Sequence, residues 1–218
     1  MKNLENKKVL FLGDSITAGA AASAENKRFV NVFGEISGAE VYNYGIGGTR
    51  LAKQITPSKV ELYDRYFLSR VPEMASFADF VVVFGGTNDY GHGDAPLGKS
   101  GDKTSDTFYG AVYELLTVLK EKYPKAGLLL VTPLHRVGES DTVNEYGLPA
   151  IKTLGQVVQA EKEVAKKLGV PVLDLYNCKD LNALEKTAAE KYISPDGLHP
   201  NDAGHRRIAE EIYKELNK

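Results

Sequence analysis

Four short segments carry side chains and backbone groups suited to acyl transfer. Ser15 lies in Gly13-Asp14-Ser15-Ile16-Thr17, where an apolar run gives way to a turn. A serine hydroxyl becomes a nucleophile when a neighbouring base takes its proton. Ser194-Pro195-Asp196-Gly197-Leu198-His199-Pro200-Asn201 can supply that base, because its prolines and glycine forbid a regular helix and favour a fixed loop. An acid three residues before a histidine, as Asp196 is before His199, can hold the ring Nδ1 and leave Nε2 free to act. Gly45-Ile46-Gly47-Gly48-Thr49 lets the backbone approach a ligand and aim amides at it, while Gly85-Gly86-Thr87-Asn88-Asp89 adds a side-chain donor, Asn88. Both are donors of the kind a developing oxyanion needs.

Each segment also has an ordinary structural explanation. Asp14 and Ser15 can cap a helix, the glycines can form a plain turn, an Asn after glycines is a common turn residue, and Asp-x-x-His can be a surface turn entering a helix. Their shared position in the chain's organisation separates the two explanations. Apolar runs at 8–12, 40–44, 80–84, 128–131 and 171–175 lack clean alternation and end at Gly, Pro or Asn, which predicts strands buried on both faces. Helical periodicity covers 107–123, with Phe108, Val112, Leu115, Leu116 and Leu119 on one face, and 151–168, with Ile151, Leu154, Val158, Ala165 and Leu168. A last helix is expected from the N-cap Asn201, carrying Ile208, Ile212 and Leu216. Strands alternating with helices predict an α/β fold, a mostly parallel sheet covered on both faces, as a single domain over 1–218. Loops that follow such strands rim the ligand crevice, and all four segments fall at that edge. Two longer polar loops, 89–105 and 133–149, are candidate substrate walls.

The bulk composition narrows the function classes. Of 218 residues, 43% are apolar and 26% charged, which is too rich in large apolar groups for disorder. Basic residues number 27 against 29 acidic, scattered without a basic block, so neither nucleic acid nor an anionic membrane is an expected partner. The charged start, MKNLENKK, leads into an apolar run too short for a signal peptide, and no 18-residue apolar run occurs, so a cytoplasmic protein without membrane insertion is expected. Cys178 is the only cysteine, which excludes an intrachain disulfide and a multi-cysteine metal site, and the histidines lack partners at metal-ligand spacing.

In order and spacing, Gly13 to Thr17, Gly45-Ile46-Gly47-Gly48-Thr49, Gly86-Thr87-Asn88-Asp89 and Asp196-Gly197-Leu198-His199-Pro200 resemble the four blocks of the SGNH (GDSL-type) esterase and lipase family. The resemblance implies a three-layer α/β/α flavodoxin-like sandwich with a five-stranded parallel sheet, and ester hydrolysis without a cofactor. It implies Ser15 as nucleophile, Asp196 and His199 as the rest of a triad, and an oxyanion hole made by the Ser15 and Gly48 amides and the Asn88 side chain. Thr49 stands where many members carry an acid or Asn.

The rim loops contain few large apolar residues, so a short acyl ester of a carbohydrate or other polar alcohol is the expected substrate. The same residues would serve a lipase- or thioesterase-type acylhydrolase on longer chains, or an acyltransferase. A flavodoxin-like phosphate- or nucleotide-binding module is the rival of another class, but Asp14 would repel the anion and Asp196 with His199 would have no purpose. Arg50, His92, His135 and Arg136 are candidate rim residues, each otherwise a solvated surface group. His205 reads as structural and Cys178 as a packed thiol.

Overall fold

The computed structural model describes residues 3–147 and 149–218. The first two residues of the charged start and position 148 of the second rim loop lie outside the described residues. In chain order the elements are β1 (Lys8–Gly13), α1 (Ser15–Ala18), α2 (Phe29–Ser37), β2 (Glu40–Gly45), α3 (Phe67–Arg70), β3 (Phe80–Phe84) and α4 (Thr87–Gly91). They continue with α5 (Phe108–Lys122), β4 (Gly127–Val131), α6 (Leu154–Leu168), β5 (Val172–Leu173), α7 (Lys186–Tyr192) and α8 (Asp202–Leu216). Among the described residues the strands form one sheet in the order β2-β1-β3-β4-β5. All pairings are parallel, as the βαβ alternation predicts.

Pleating divides the strand residues between two cores. Leu10, Leu12, Val81, Val83 and Leu130 pack with Phe67 of α3, Phe108 and Leu115 of α5 and Val157 of α6. Val9, Phe11, Val82, Phe84 and Val131 pack with Ile16 of α1, Phe29 and Phe33 of α2 and Ile208 and Ile212 of α8. Phe11 meets Phe29 and Phe33 edge-on, with ring centroids 5.7 and 5.3 Å apart, a geometry worth about 0.5–1.5 kcal/mol per pair beyond burial. The register aligns Gly13 with Gly45 and Phe84, and Phe84 with Val131, so four strands end in one row. That row brings the motif-bearing turns to one edge.

The structure departs from expectation where elements meet the sheet's margins. β2 is partly exposed instead of buried on both faces, because as the outermost strand it pairs only with β1. β5 is shorter than the expected 171–175: the Leu175 amide turns back to Leu173 O at 3.1 Å and the chain leaves the sheet. α6 begins at Leu154, after a reciprocal capping box between Thr153 and Gln156. Ile151, expected on its apolar face, is exposed. Segment 89–105 is not wholly loop, since α4 occupies its start and Asp89 is buried, accepting the Leu51 and Ala52 amides at 2.9 Å each. Among the described residues no helix is long and apolar enough to cross a membrane.

Candidate active site

β1 delivers Ser15 to the row of strand ends. Asp14 caps α1 by accepting the Ile16 amide at 3.0 Å, which leaves Ser15 as the first helical residue, half-buried and reachable from solvent. Its Oγ lies 2.9 Å from His199 Nε2, a residue 184 positions away in the chain. His199 Nδ1 lies 2.7 Å from Asp196 Oδ2. The other Asp196 oxygen accepts the Leu198 and His199 amides at 2.9 Å each and the Ser194 hydroxyl at 2.7 Å. Partial burial alone would raise this carboxyl, but those hydrogen bonds together outweigh it and hold the group well below the usual carboxylate range. Asp196 is therefore a fixed anion. It assigns the proton to Nδ1 and leaves Nε2 as acceptor for the Ser15 hydroxyl.

The loop holding this pair is stiffened by its own backbone. Ser194 N donates to His199 O at 2.8 Å, Gly197 N to Ser194 O at 3.0 Å, and Val137 N, from the segment after β4, to Gly197 O at 2.9 Å. Asn201 then caps α8 through the Gly204 amide at 3.1 Å, so the loop is anchored at both ends.

The glycine turn after β2 lies beside the serine. Ile46 N donates to Gly13 O at 3.1 Å, and a Cβ at Gly47 would stand 3.7 Å from Ser15 Cβ. The Gly45 amide is committed to Asn43 Oδ1 at 2.8 Å, whereas those of Gly47 and Gly48 have no protein acceptor among the described residues. Gly48 sits at φ +74°, and a Cβ there would collide with the Tyr63 ring at 2.0 Å, so both backbone conformation and space require glycine. Asn88 is buried in the first turn of α4, and its Nδ2 donates to Thr49 O at 2.9 Å. One amide proton is thereby used to orient the group and the second remains for a ligand.

Residues 11–207 match the GDSL-like Lipase/Acylhydrolase family. The chain belongs to this family. It is a carboxylic ester hydrolase. An acetylxylan esterase of Geobacillus stearothermophilus is 27% identical over 99% of this chain and 96% of its own length. A second acetylxylan esterase, from Xylanibacter ruminicola, is 26% identical over 94% of this chain, which spans only 42% of that relative. A solved structure of a protein from Lactobacillus plantarum, 31% identical, superposes with a TM-score of 0.80 over 98% of this chain and 97% of that one.

In this GDSL-like hydrolase three of the four expected rim residues are buried instead of solvated. Arg50, 2% exposed, donates to Asp64 Oδ1 at 2.9 Å, to His92 O at 3.1 Å and to Ser58 Oγ. His92 stacks on Tyr63 with centroids 5.4 Å apart, and burial followed by the Arg50 charge pushes its pKa down to about 4, so it is neutral. Arg136 donates to Glu145 Oε1 at 2.6 Å and lies over the Tyr90 ring. Their segments close around α4, with Arg50 reaching His92 O, Arg136 reaching Thr87 O and the Glu145 amide reaching Gly91 O, and the buried charges are held by Asp64 and Glu145. His135 instead lines an open groove of about 690 Å³ with Tyr176, Asn177, Asp180 and Tyr192, and its Nδ1 meets Glu139 at 2.9 Å. Cys178 borders the same groove, half-buried and packed against the core on that face of the sheet, in line with a packed thiol. His205 is fully buried, bridging Phe29 N at 3.3 Å and Ala20 O at 3.0 Å.

Sequence reasoning missed Asp89 as the anchor of the segment after the glycine turn and Asp14 as a buried acid. For Asp14 the available signal was a charged residue directly after an uninterrupted apolar strand; Asp89, five residues past β3, offered none. Among the described residues no group of three or more His, Cys, Asp or Glu side chains is arranged to hold a metal ion.

Proposed function

We propose that this GDSL-like hydrolase removes short acyl groups, acetyl foremost, from a carbohydrate or another polar alcohol through an acyl-serine at Ser15. The observation that carries this reading is the continuous relay from Ser15 Oγ to His199 Nε2, 2.9 Å, and from His199 Nδ1 to Asp196 Oδ2, 2.7 Å. His199 takes the hydroxyl proton as Ser15 Oγ bonds to the ester carbonyl, and the Asp196 carboxylate stabilises the imidazolium that results. The carbonyl oxygen, now carrying the charge, is met by the Ser15 and Gly48 amides and by Asn88 Nδ2. His199 then protonates the departing alcohol. Water, activated by the same ring, attacks the acyl-serine, releases the acid and restores the Ser15 hydroxyl.

The short-acyl assignment is supported by the two rim segments, 89–105 and 133–149, which contain few large apolar residues to line a long acyl tunnel. The names of the Geobacillus and Xylanibacter relatives point the same way. A fluorophosphonate probe should label the protein and fail to label Ser15→Ala, whose turnover of p-nitrophenyl acetate should fall by at least about 10³-fold. Labelling or full turnover in the folded variant would remove Ser15 from the mechanism. Acetate release from acetylated xylo-oligosaccharides, and a preference for acetyl over octanoyl p-nitrophenyl esters, test the substrate. Faster turnover of the longer chain overturns the short-acyl assignment.

A further inference from the structure

Arg70 ends α3 and is 3% exposed, and the carboxylate whose charge acts on it most is Asp14, which forms no salt bridge with it among the described residues. Its two terminal nitrogens reach three oxygens that belong to two strand ends and one turn, while its buried Nε has no partner among the described residues. Nη1 donates to Tyr44 O at 2.7 Å, and Nη2 donates to Gly13 O at 3.1 Å and to Thr49 Oγ1 at 3.2 Å. The guanidinium also lies 4.7 Å from the centre of the Phe67 ring, which fixes its plane from one side.

The positions of these acceptors are what matter. Gly13 is two residues before Ser15, Tyr44 immediately precedes the glycine turn, and Thr49 immediately follows Gly48. Thr49 is in turn bonded three times more: its Oγ1 and its amide donate to Ile46 O at 2.7 and 3.4 Å, and its carbonyl accepts Asn88 Nδ2 at 2.9 Å. A single planar cation thus joins the end of the serine strand, both ends of the glycine turn and, through Thr49, the Asn88 amide. Only Arg has a rigid fork able to serve three acceptors spread in this way; a Lys ammonium is a compact point charge on a flexible stem. Burial pulls its pKa down to about 10, so it keeps its charge at neutral pH.

We propose that Arg70 is a positioning residue that sets the placement of the oxyanion turn relative to Ser15, and so the alignment of the Gly48 and Asn88 donors with the carbonyl under attack. The proposal rests on the Ser15 mechanism above. It acts only through the residues it clamps and touches no substrate.

The experiment compares Arg70→Met, Arg70→Lys and Phe33→Leu in the full chain, with Phe33→Leu as a core variant in the opposite layer that lowers the melting temperature without touching the site. Arg70→Met should lose on the order of 10²-fold in kcat on p-nitrophenyl acetate with KM moved less than about threefold, since misplacement of a catalytic group by an ångström costs that much. Arg70→Lys should recover part of the loss, and Phe33→Leu should keep kcat. The losses from Arg70→Met and Asn88→Ala should not multiply in the double variant, because both act on the same oxyanion. A folded Arg70→Met with lowered melting temperature and unchanged kcat overturns the proposal, as do losses that multiply independently. Should Arg70→Met fail to fold, Arg70→Lys decides: full kcat overturns the clamp, and reduced kcat at unchanged KM supports it. Fluorophosphonate labelling of the wild type and of Ser15→Ala keeps a failure of the Ser15 mechanism distinct from a failure of Arg70.

Discussion

Asn88 and Asp14 show how individual side chains at the strand ends are held in unequal states. Asn88 has one amide proton engaged by Thr49 O at 2.9 Å, so its rotation is blocked before any ester arrives. Asn88→Ala is expected to lower kcat by about 10²–10³-fold, the usual cost of one oxyanion donor, with the fold intact by circular dichroism. A loss smaller than about threefold would take Asn88 out of the oxyanion hole. Asp14 is the opposite case, a carboxyl whose burial raises its pKa from 3.8 to about 6 despite the Ile16 amide and the nearby Arg70 charge. The native state therefore retains a proton that the unfolded chain releases between those values. The contribution to stability is full below about pH 4, is lost as pH rises through 6, and at pH 8 the buried carboxylate is a net cost. Asp14→Asn, which can still accept from Ile16, is expected to raise stability at pH 8 by up to about 3 kcal/mol, less whatever Arg70 loses as a counter-charge, and by nothing at pH 4. Melting curves at the two pH values check this. A gain of equal size at both would mean that Asp14 is not titrating.

At the scale of elements, the contact between β2 and α1 decides whether the turn and the serine share one frame. A Cβ at Gly45 would fall 2.2 Å from Ala18 N and 2.5 Å from Thr17 C, which is backbone that cannot rotate aside. Gly45→Ala must push β2 away from α1, so it is expected to cost about 1–3 kcal/mol of stability and to reduce kcat together, as an overpacked core does. A thermal melt paired with an esterase assay reads both, and unchanged kcat in a destabilised variant would separate the turn from the serine. This close approach also marks what could be read in the chain beforehand. The sheet, α5, α8 and the motif-bearing turns are legible because apolar periodicity and short motifs are local properties, and Asn201 caps α8 where its residue type predicts. Ile151 was misplaced because periodicity continues past a helix end that only the Thr153–Gln156 cap defines. Arg50, His92 and Arg136 look like solvated loop residues in sequence, and their burial depends on loops folding back on partners such as Asp64 and Glu145. Arg70 gave no signal at all, because three of its bonds reach residues 21 to 57 positions away and two of the acceptors are backbone carbonyls.

At the scale of the whole molecule, the two cores lie on opposite faces of strands that contribute to both. Leu10 and Leu12 enter one layer and Val9 and Phe11 the other, and β3 and β4 divide in the same way. Neither helical layer can keep its buried surface once the sheet between them is lost, so the two should unfold together. The proposed active site reinforces that coupling, since Ser15 comes from the start of the chain and His199 from near its end, 184 residues on. The chain has 12 tyrosines and no tryptophan, and these report on both layers, with Tyr123 buried in the first and Tyr192 and Tyr213 against the second. In urea, tyrosine fluorescence and far-UV circular dichroism are expected to change in one transition with a common midpoint, with every layer of the sandwich lost at once. Two resolved midpoints would instead mean that one layer folds without the other, and that the sheet does not bind residues from the first strand to the last helix into one cooperative unit.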